Sequence, residues 1–385
     1  MTRGKRVALK VADAIARGVS LVPRVIWRPR RDDGKGIRKI LVIEMWLIGD
    51  VVLVTPLLRG LRARFPDARI SLLAKPHAED LLLHSGLVDE VIPFDFPWTA
   101  NEGKYRPSRY DRREIASLLR RLRREEFDLT IDCRMDGRSN IVSFATGAPR
   151  RIGYDFGGAS YLLTHALPAS PDDHHKVDDW LALLKPIDDG GWGEKVRAET
   201  LTARPASLLI VTAHEKAEAR RRLVALGVLD DDIVVGIHPG ASNQRRRWPL
   251  DDFAWVAGSL ARKSIVPLVF VDPEGYGEKM PIEPRACFLS TTLRELMATL
   301  THCDVLICND SGPMHIADAL GVPVVGVFTT GNPVWTGPYG ENQLTVGRGT
   351  GHDFVSYPAK EEVLAAANAQ LQRARRARAD QTNSR

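Results

Sequence analysis

Four short stretches of this chain combine residue types that bind anions or move protons. The first is Leu47-Ile48-Gly49-Asp50. Glycine lets the backbone turn sharply there, which sets Asp50 at or near the first residue of a helix. A carboxylate in that place serves as an N-cap or as a general base. The turn is not a GxGxxG loop, so dinucleotide binding has little support. The second stretch is His238-Pro239-Gly240-Ala241-Ser242, followed by Arg245-Arg246-Arg247-Trp248-Pro249. A hydroxyl and several guanidinium forks after a strand suit a diphosphate, or else a solvated basic loop. The third is Asn309-Asp310-Ser311-Gly312-Pro313-Met314-His315, closed by Gly321-Val322-Pro323. A helix starting near Pro313 offers backbone N–H groups to an anion, with the helix dipole assisting. Asp310 stands where a carboxylate could grip hydroxyls, and His315 lies one turn into the helix. The fourth runs from Phe328-Thr329-Thr330-Gly331-Asn332-Pro333 to Thr336-Gly337-Pro338-Tyr339-Gly340. It reads as a loop beside the third stretch, either lining the same site or free at the surface.

These stretches need elements to hold them, and the hydrophobic pattern supplies two alternating series. Lys39–Ile43, Arg69–Leu73, Glu90–Ile92 and Leu129–Asp132 read as strands. Helices read over Val51–Phe65, His77–Ser85 and Asp111–Glu126, the last with Ile115, Leu118, Leu119 and Leu122 on one face. Residues 186–206 hold Gly, Asp and Pro without periodicity and read as a linker. Strands then follow at Val234–Ile237, Val266–Val271, Val305–Ile307 and Val324–Phe328, with helices at 252–261, 292–300, 314–320 and 359–377. Alternating βα units predict parallel sheets covered on both faces. Open sheets of this kind bind ligands outside the carboxyl ends of their strands, and all four stretches fall at such ends.

The 385 residues suffice for two domains, and 44% hydrophobic content excludes global disorder. Residues 1–40 carry 12 Lys/Arg against 3 Asp, a net of +9, and residues 371–385 carry 5 Arg against 1 Asp, a net of +4. Since the whole chain is +6, the body is mildly acidic, which argues against a nucleic-acid-binding surface. Residues 6–22 pattern as an amphipathic helix with Arg6, Lys10, Asp13 and Arg17 on a narrow polar stripe. It suits packing on the body or shallow contact with an anionic membrane. No apolar run is long enough to span a bilayer, and charges interrupt every candidate signal-peptide core. Cysteines 133, 287, 303 and 308 form no CxxC pair, so reduced thiols and a cytoplasmic setting are expected. Asp172-Asp173-His174-His175 could bind a metal but more readily opens a helix over 177–184.

In this order and spacing the pieces resemble glycosyltransferase family 9, the bacterial heptosyltransferases that build lipopolysaccharide core. They are KILVIEMWLIGDVVLVTPLLRGLRARFP, RRIGYD, GIHPGAS with RRWP, and CNDSGPMHIADALGVPVVGVF with TGPYG. The resemblance covers roughly residues 38–375. It implies an α/β fold of GT-B type, two Rossmann-like lobes whose parallel sheets face a central cleft. The acceptor lobe would be 37–190, after an extension over 1–36. A linker over 191–206 would lead to a nucleotide-sugar lobe over 207–357. A helix over 358–378 would return to the first lobe, and 379–385 would be a disordered tail.

Carried over residue by residue, the resemblance makes Asp50 the catalytic base and Arg138 an acceptor-binding residue. Ser242, Arg246, Asp310, Ser311, Gly312 and His315 become donor-binding, with Glu274 at the donor ribose and Thr291 near the base. Arg246 stands where the family usually has Lys, Ser311 where it has Thr, and Phe328-Thr329-Thr330-Gly331-Asn332-Pro333 replaces a Phe-Gly-Pro-Thr-Asp-Pro loop. The implied partners are a nucleotide-diphosphate sugar and a glycan or glycolipid acceptor, with no nucleic acid, no metal and no cofactor. Peripheral contact with the cytoplasmic face of the inner membrane is the expectation for the extension. Two other readings stay open: a sugar-nucleotide epimerase of the same fold, and a non-catalytic scaffold of an envelope glycan assembly complex.

Overall fold

Lys39–Ile43 is apolar after its first residue, as a strand covered on both faces must be, and it forms strand β1. The computed structural model describes residues 29–32, 34, 36–99, 111–168, 174–194, 208–261, 264–281, 286–340, 343–347 and 357–383. The predicted helix over 6–22 lies outside these, as does most of the predicted linker. The chain divides into two compact units. The first takes residues up to Glu79, Gly86–Asp172 and Val177–Ala203, and the second takes Asp80–Ser85, Asp173–Lys176 and the chain from Arg204 on.

In the first unit β1 is joined by β2 (Arg69–Ala74), β3 (Glu90–Pro93), β4 (Leu129–Asp132), β5 (Arg150–Asp155) and β6 (His165–Pro168). The order is β3-β2-β1-β4-β5-β6, and every pairing is parallel. The chain leaves β1 toward one side, returns past it, and continues to the other side from β4. This reversal is the switch point where doubly wound sheets open a crevice. Ile43 pairs with Asp132 across it, so the residues following β1 and β4 emerge side by side. Beneath lies a core of Leu41, Ile43, Leu73, Ile92, Leu118, Leu122 and Phe127. Helix Arg112–Arg124 adds Leu118 and Leu122 to it, and Asp111 caps its start by accepting from the N–H groups of Arg113 and Glu114.

The expected single helix over Val51–Phe65 is instead two, Ile48–Leu53 and Thr55–Arg64. Pro56 lacks an N–H for the carbonyl of Val52, and the Thr55 hydroxyl takes that carbonyl at 2.6 Å. Helix Gly137–Ala145 and strands β5 and β6 were not anticipated from periodicity.

The second unit repeats the plan. Strands β7 (Ile233–His238), β8 (Ile265–Val271), β9 (Cys287–Ser290), β10 (Val305–Asn309), β11 (Val324–Val327) and β12 (Leu344–Val346) stand in the order β12-β11-β10-β7-β8-β9, again all parallel. Its switch point lies between β7 and β10, where His238 pairs with Cys308. In the final helix, Lys360–Asn383, Val363, Ala367 and Leu371 join the core of the second sheet, with Val325 and Val327 of β11. The helix corrects one expectation: it runs on to Asn383, past the start of the expected tail. Among the described residues no helix is long and apolar enough to cross a membrane.

Candidate active site

Each switch point carries one half of the predicted chemistry. In the first unit, Glu44 follows β1 directly and Asp50 is the third residue of helix Ile48–Leu53. Asp50 is therefore not the N-cap that its spacing suggested; Leu47 holds that position. One Asp50 oxygen, Oδ2, accepts from the Leu47 N–H at 3.2 Å. The other, Oδ1, accepts from Arg134 Nη1 at 3.2 Å, and the same nitrogen donates to Glu44 Oε1 at 3.2 Å. Arg134 lies two residues beyond β4, its guanidinium 4.5 Å from the centre of the Trp46 ring. Asp132, at the end of β4, accepts from the Arg134 N–H at 2.8 Å.

The charges here are strongly coupled. Burial pushes the Asp132 carboxyl up to about 8, with the Ser139 hydroxyl and Arg134 pulling the other way, so it is mostly neutral at pH 7. Burial works against the Arg134 charge too. The carboxylates Glu44, Asp50 and Asp132 more than offset it, and the guanidinium is held charged more firmly than usual. His77 is pushed below the ordinary histidine range by its burial and by Lys75, against Asp95 and Asp50. It is largely uncharged at neutral pH. Arg138, the expected acceptor residue, starts the helix Gly137–Ala145. Its guanidinium engages Asp136 rather than Asp50, through Nε at 2.9 Å and Nη2 at 2.5 Å, and lies 5.7 Å from the Trp98 ring centre.

In the second unit three of the sequence stretches converge. Asn309, the last residue of β10, is fully buried and ties the loop after β7 in place. Its Oδ1 accepts from the Trp248 N–H at 3.0 Å, and its Nδ2 donates to the Pro239 carbonyl at 2.7 Å. Thr329 after β11 donates its hydroxyl to the Arg245 carbonyl at 2.7 Å. The loop so held turns Arg246 toward Asp310, with Nη1 3.2 Å from Oδ2. Asp310 is buried while the Arg246 side chain is 37% exposed, so the pair has an inner anion and an outer cation. A side chain at Gly331 would begin 3.1 Å from Asp310 Oδ2, and its φ of +91° is in the region glycine tolerates best.

Helix Gly312–Ala319 begins beside this pair. Ser311 is its N-cap, but its hydroxyl donates back to the Asn309 carbonyl at 3.2 Å and does not cap the helix. Pro313 in the first turn has no N–H of its own, which narrows the anion site expected there. His315 is buried in the same helix, and Ser242 is exposed in the loop after β7. His238 is held below the ordinary histidine range by burial, which Asp272 opposes, and adds no positive charge at neutral pH.

Two of the predicted residues stand apart from this cluster. Glu274, beyond the end of β8, accepts from Arg247 Nη2 at 2.8 Å, and Arg247 also lies 4.4 Å from the Tyr276 ring centre. Thr291 follows β9, the outermost strand of the sheet and two positions from the switch point. Of the Asp/His stretch, 172 and 173 lie outside the described residues. Among the described residues no group of three His, Cys, Asp or Glu could hold a metal ion.

Sequence reasoning missed Glu44, Asp132 and Arg134. A signal was present for the first two: each is an acidic residue at the carboxyl end of an otherwise apolar strand, where ligands bind in such sheets. Arg134 had none, because its importance comes from β4 lying next to β1.

Comparison with known proteins supplies the family. The model of "Glycosyltransferase family 9 (heptosyltransferase)" matches residues 115–362. Lipopolysaccharide heptosyltransferase 2 of Escherichia coli K12 is 26% identical over 334 residues, covering 82% of this chain and 90% of the relative. Among solved structures, a glycosyl transferase family 9 protein from Veillonella parvula superposes with a TM-score of 0.71 at 22% identity, covering 88% of this chain and 98% of its own. The E. coli ADP-heptose lps heptosyltransferase II superposes with a TM-score of 0.66 at 24% identity, covering 87% and 99%. The fold is the expected α/β GT-B architecture of two parallel sheets with helices.

Proposed function

Because the chain belongs to glycosyltransferase family 9 and is a glycosyltransferase, we propose that it transfers heptose from ADP-heptose to a hydroxyl of lipopolysaccharide core, with inversion at the anomeric carbon. The observation that carries this reading is the division of charge between the two switch points. One presents the carboxylate of Asp50, and the other presents Arg246 beside the start of helix Gly312–Ala319. The donor class follows the E. coli relative's ADP-heptose, and the acceptor class follows the lipopolysaccharide heptosyltransferases.

In this mechanism Asp50 takes the proton of the acceptor hydroxyl as its oxygen bonds to the anomeric carbon. The bond from that carbon to the diphosphate oxygen breaks, and its electron pair leaves with the diphosphate. A positioned base contributes typically about 10²–10⁴-fold to such a step. The growing negative charge on the leaving group is met by Arg246, the Ser242 hydroxyl and the N–H groups around Ser311–Gly312. Glu274 and Thr291 would contact the nucleoside, and Arg138 beside Trp98 the acceptor. Since protein groups supply the positive charge, the reaction proceeds without a divalent metal.

The test is a panel of nucleotide sugars, each incubated with the full chain, core acceptor and excess EDTA. ADP-heptose alone is expected to support transfer. Transfer from a different nucleotide sugar, or loss of transfer in EDTA restored by Mg²⁺, would overturn the donor or the metal assignment respectively. For the basic extension we propose peripheral contact with anionic membrane. Deleting residues 1–36 should abolish flotation with anionic vesicles while transfer to a soluble acceptor persists, and unchanged flotation would reject it.

A further inference from the structure

We propose that Arg134 is the positioning residue of Asp50, and that Glu44 shares the guanidinium and divides its pull between two carboxylates. This rests on the reading of Asp50 as the base. One nitrogen, Arg134 Nη1, lies 3.2 Å from both Glu44 Oε1 and Asp50 Oδ1. The three residues come from three elements, the end of β1, a helix and the segment after β4, so the contact is built by the fold and not by local sequence. The Trp46 ring, 4.5 Å from the guanidinium, restricts its swing.

A guanidinium alone beside a carboxylate favours the charged form and so weakens it as a base. Here a second carboxylate shares the same nitrogen. Glu44 is 0% exposed, so water cannot neutralise it and its charge leans on Arg134. The guanidinium's attraction is thus divided between Asp50 and a carboxylate that water cannot reach. The other charged groups around the cluster are Asp132 at the end of β4, and His77 with Lys75, the latter paired to Asp95 at 2.9 Å. All remain in the variants below, and the Asp132 carboxyl, which feels both Glu44 and Arg134, is controlled for by repeating the profiles in Asp132→Asn.

The experiment measures the acidic limb of the kcat/KM pH profile, reading ADP release from ADP-heptose with core acceptor. Glu44→Gln leaves the whole guanidinium charge on Asp50 and is expected to move the limb to lower pH. Arg134→Gln removes the guanidinium that favours the charged form of Asp50 and is expected to move the limb to higher pH. The double variant returns the limb toward wild type but lowers kcat by about 10- to 100-fold through lost orientation, with donor KM unchanged. Arg134→Lys restores the limb but only part of kcat, because an ammonium lacks the planar fork. Should Arg134→Gln not fold, Glu44→Gln and the double variant carry the test. Limbs that stay still, or that move the same way in both single variants, overturn the proposal. Full activity in Asp50→Asn overturns the base assignment instead, and with it this inference.

Discussion

The two sheets share one strand order and one switch point, yet those switch points are chemical opposites. At β1 and β4, Glu44 and Asp50 share a single guanidinium, and Asp132 accepts from the backbone N–H of the same residue, Arg134. At β7 and β10, Arg246 pairs with the buried Asp310 next to a helix start. The backbone decides where a crevice opens, and the side chains placed there decide whether it handles protons or anions. In both the innermost group is a carboxylate, Glu44 in the first unit and Asp310 in the second. The cations differ: Arg134 is 17% exposed and shared with a second carboxylate, whereas Arg246 is 37% exposed.

The strongest way to break this contrast is Asp50→Asn. Turnover should fall by about 10²-fold or more while donor affinity and melting temperature stay near wild type. Asn can still accept from the Leu47 N–H, so retained turnover would reduce Asp50 to a helix-start residue. Next comes Arg246→Ala. Loss of a charge-assisted contact should cost roughly 1.5–3 kcal/mol of ADP binding by titration calorimetry, with Arg246→Lys recovering much of it. Equal affinity in the alanine variant would leave Arg246 as a partner of Asp310 and nothing more.

A smaller effect is expected at Asn309→Leu, which orphans the buried Trp248 N–H and Pro239 carbonyl. Each orphaned group costs about 1–3 kcal/mol, so the melting temperature should drop and donor binding should weaken as the arginine loop loosens. A melting curve matching wild type would show that the loop is held elsewhere.

The last concerns pH. The Asp132 carboxyl sits at about 8 in the folded chain against about 3.9 unfolded. Between those values the folded chain holds a proton that the unfolded chain has released. The contribution of Asp132 to stability is therefore fully present below about pH 4 and is lost as pH rises through about 8. Thermal melts should show Asp132→Asn more stable than wild type at pH 8, with the gap closing toward pH 4. A gap independent of pH would mean that Asp132 is charged in the fold.

Much of this was legible beforehand. Runs such as KILVI and VLICN are apolar because strands buried on both faces exclude water, and the Gly and Pro positions mark where they end. Residue type alone located the loops after β7, β10 and β11, and Asp50 after β1. Strand β5 was hidden by its charges: Arg151 is buried only because its guanidinium donates to the Leu162 and Ala148 carbonyls, partners that pattern cannot reveal. The core partners of the final helix were hidden for a related reason. An apolar stripe says that a helix must dock but not against what, and Val363, Ala367 and Leu371 found the second core. The sharing of Arg134 by Glu44 and Asp50 belongs to the same class. Sequence determined which residues carry charge and where each strand ends. Only the parallel pairing of β1 with β4, whose residues lie some 90 positions apart, decided that one cation would serve both carboxylates.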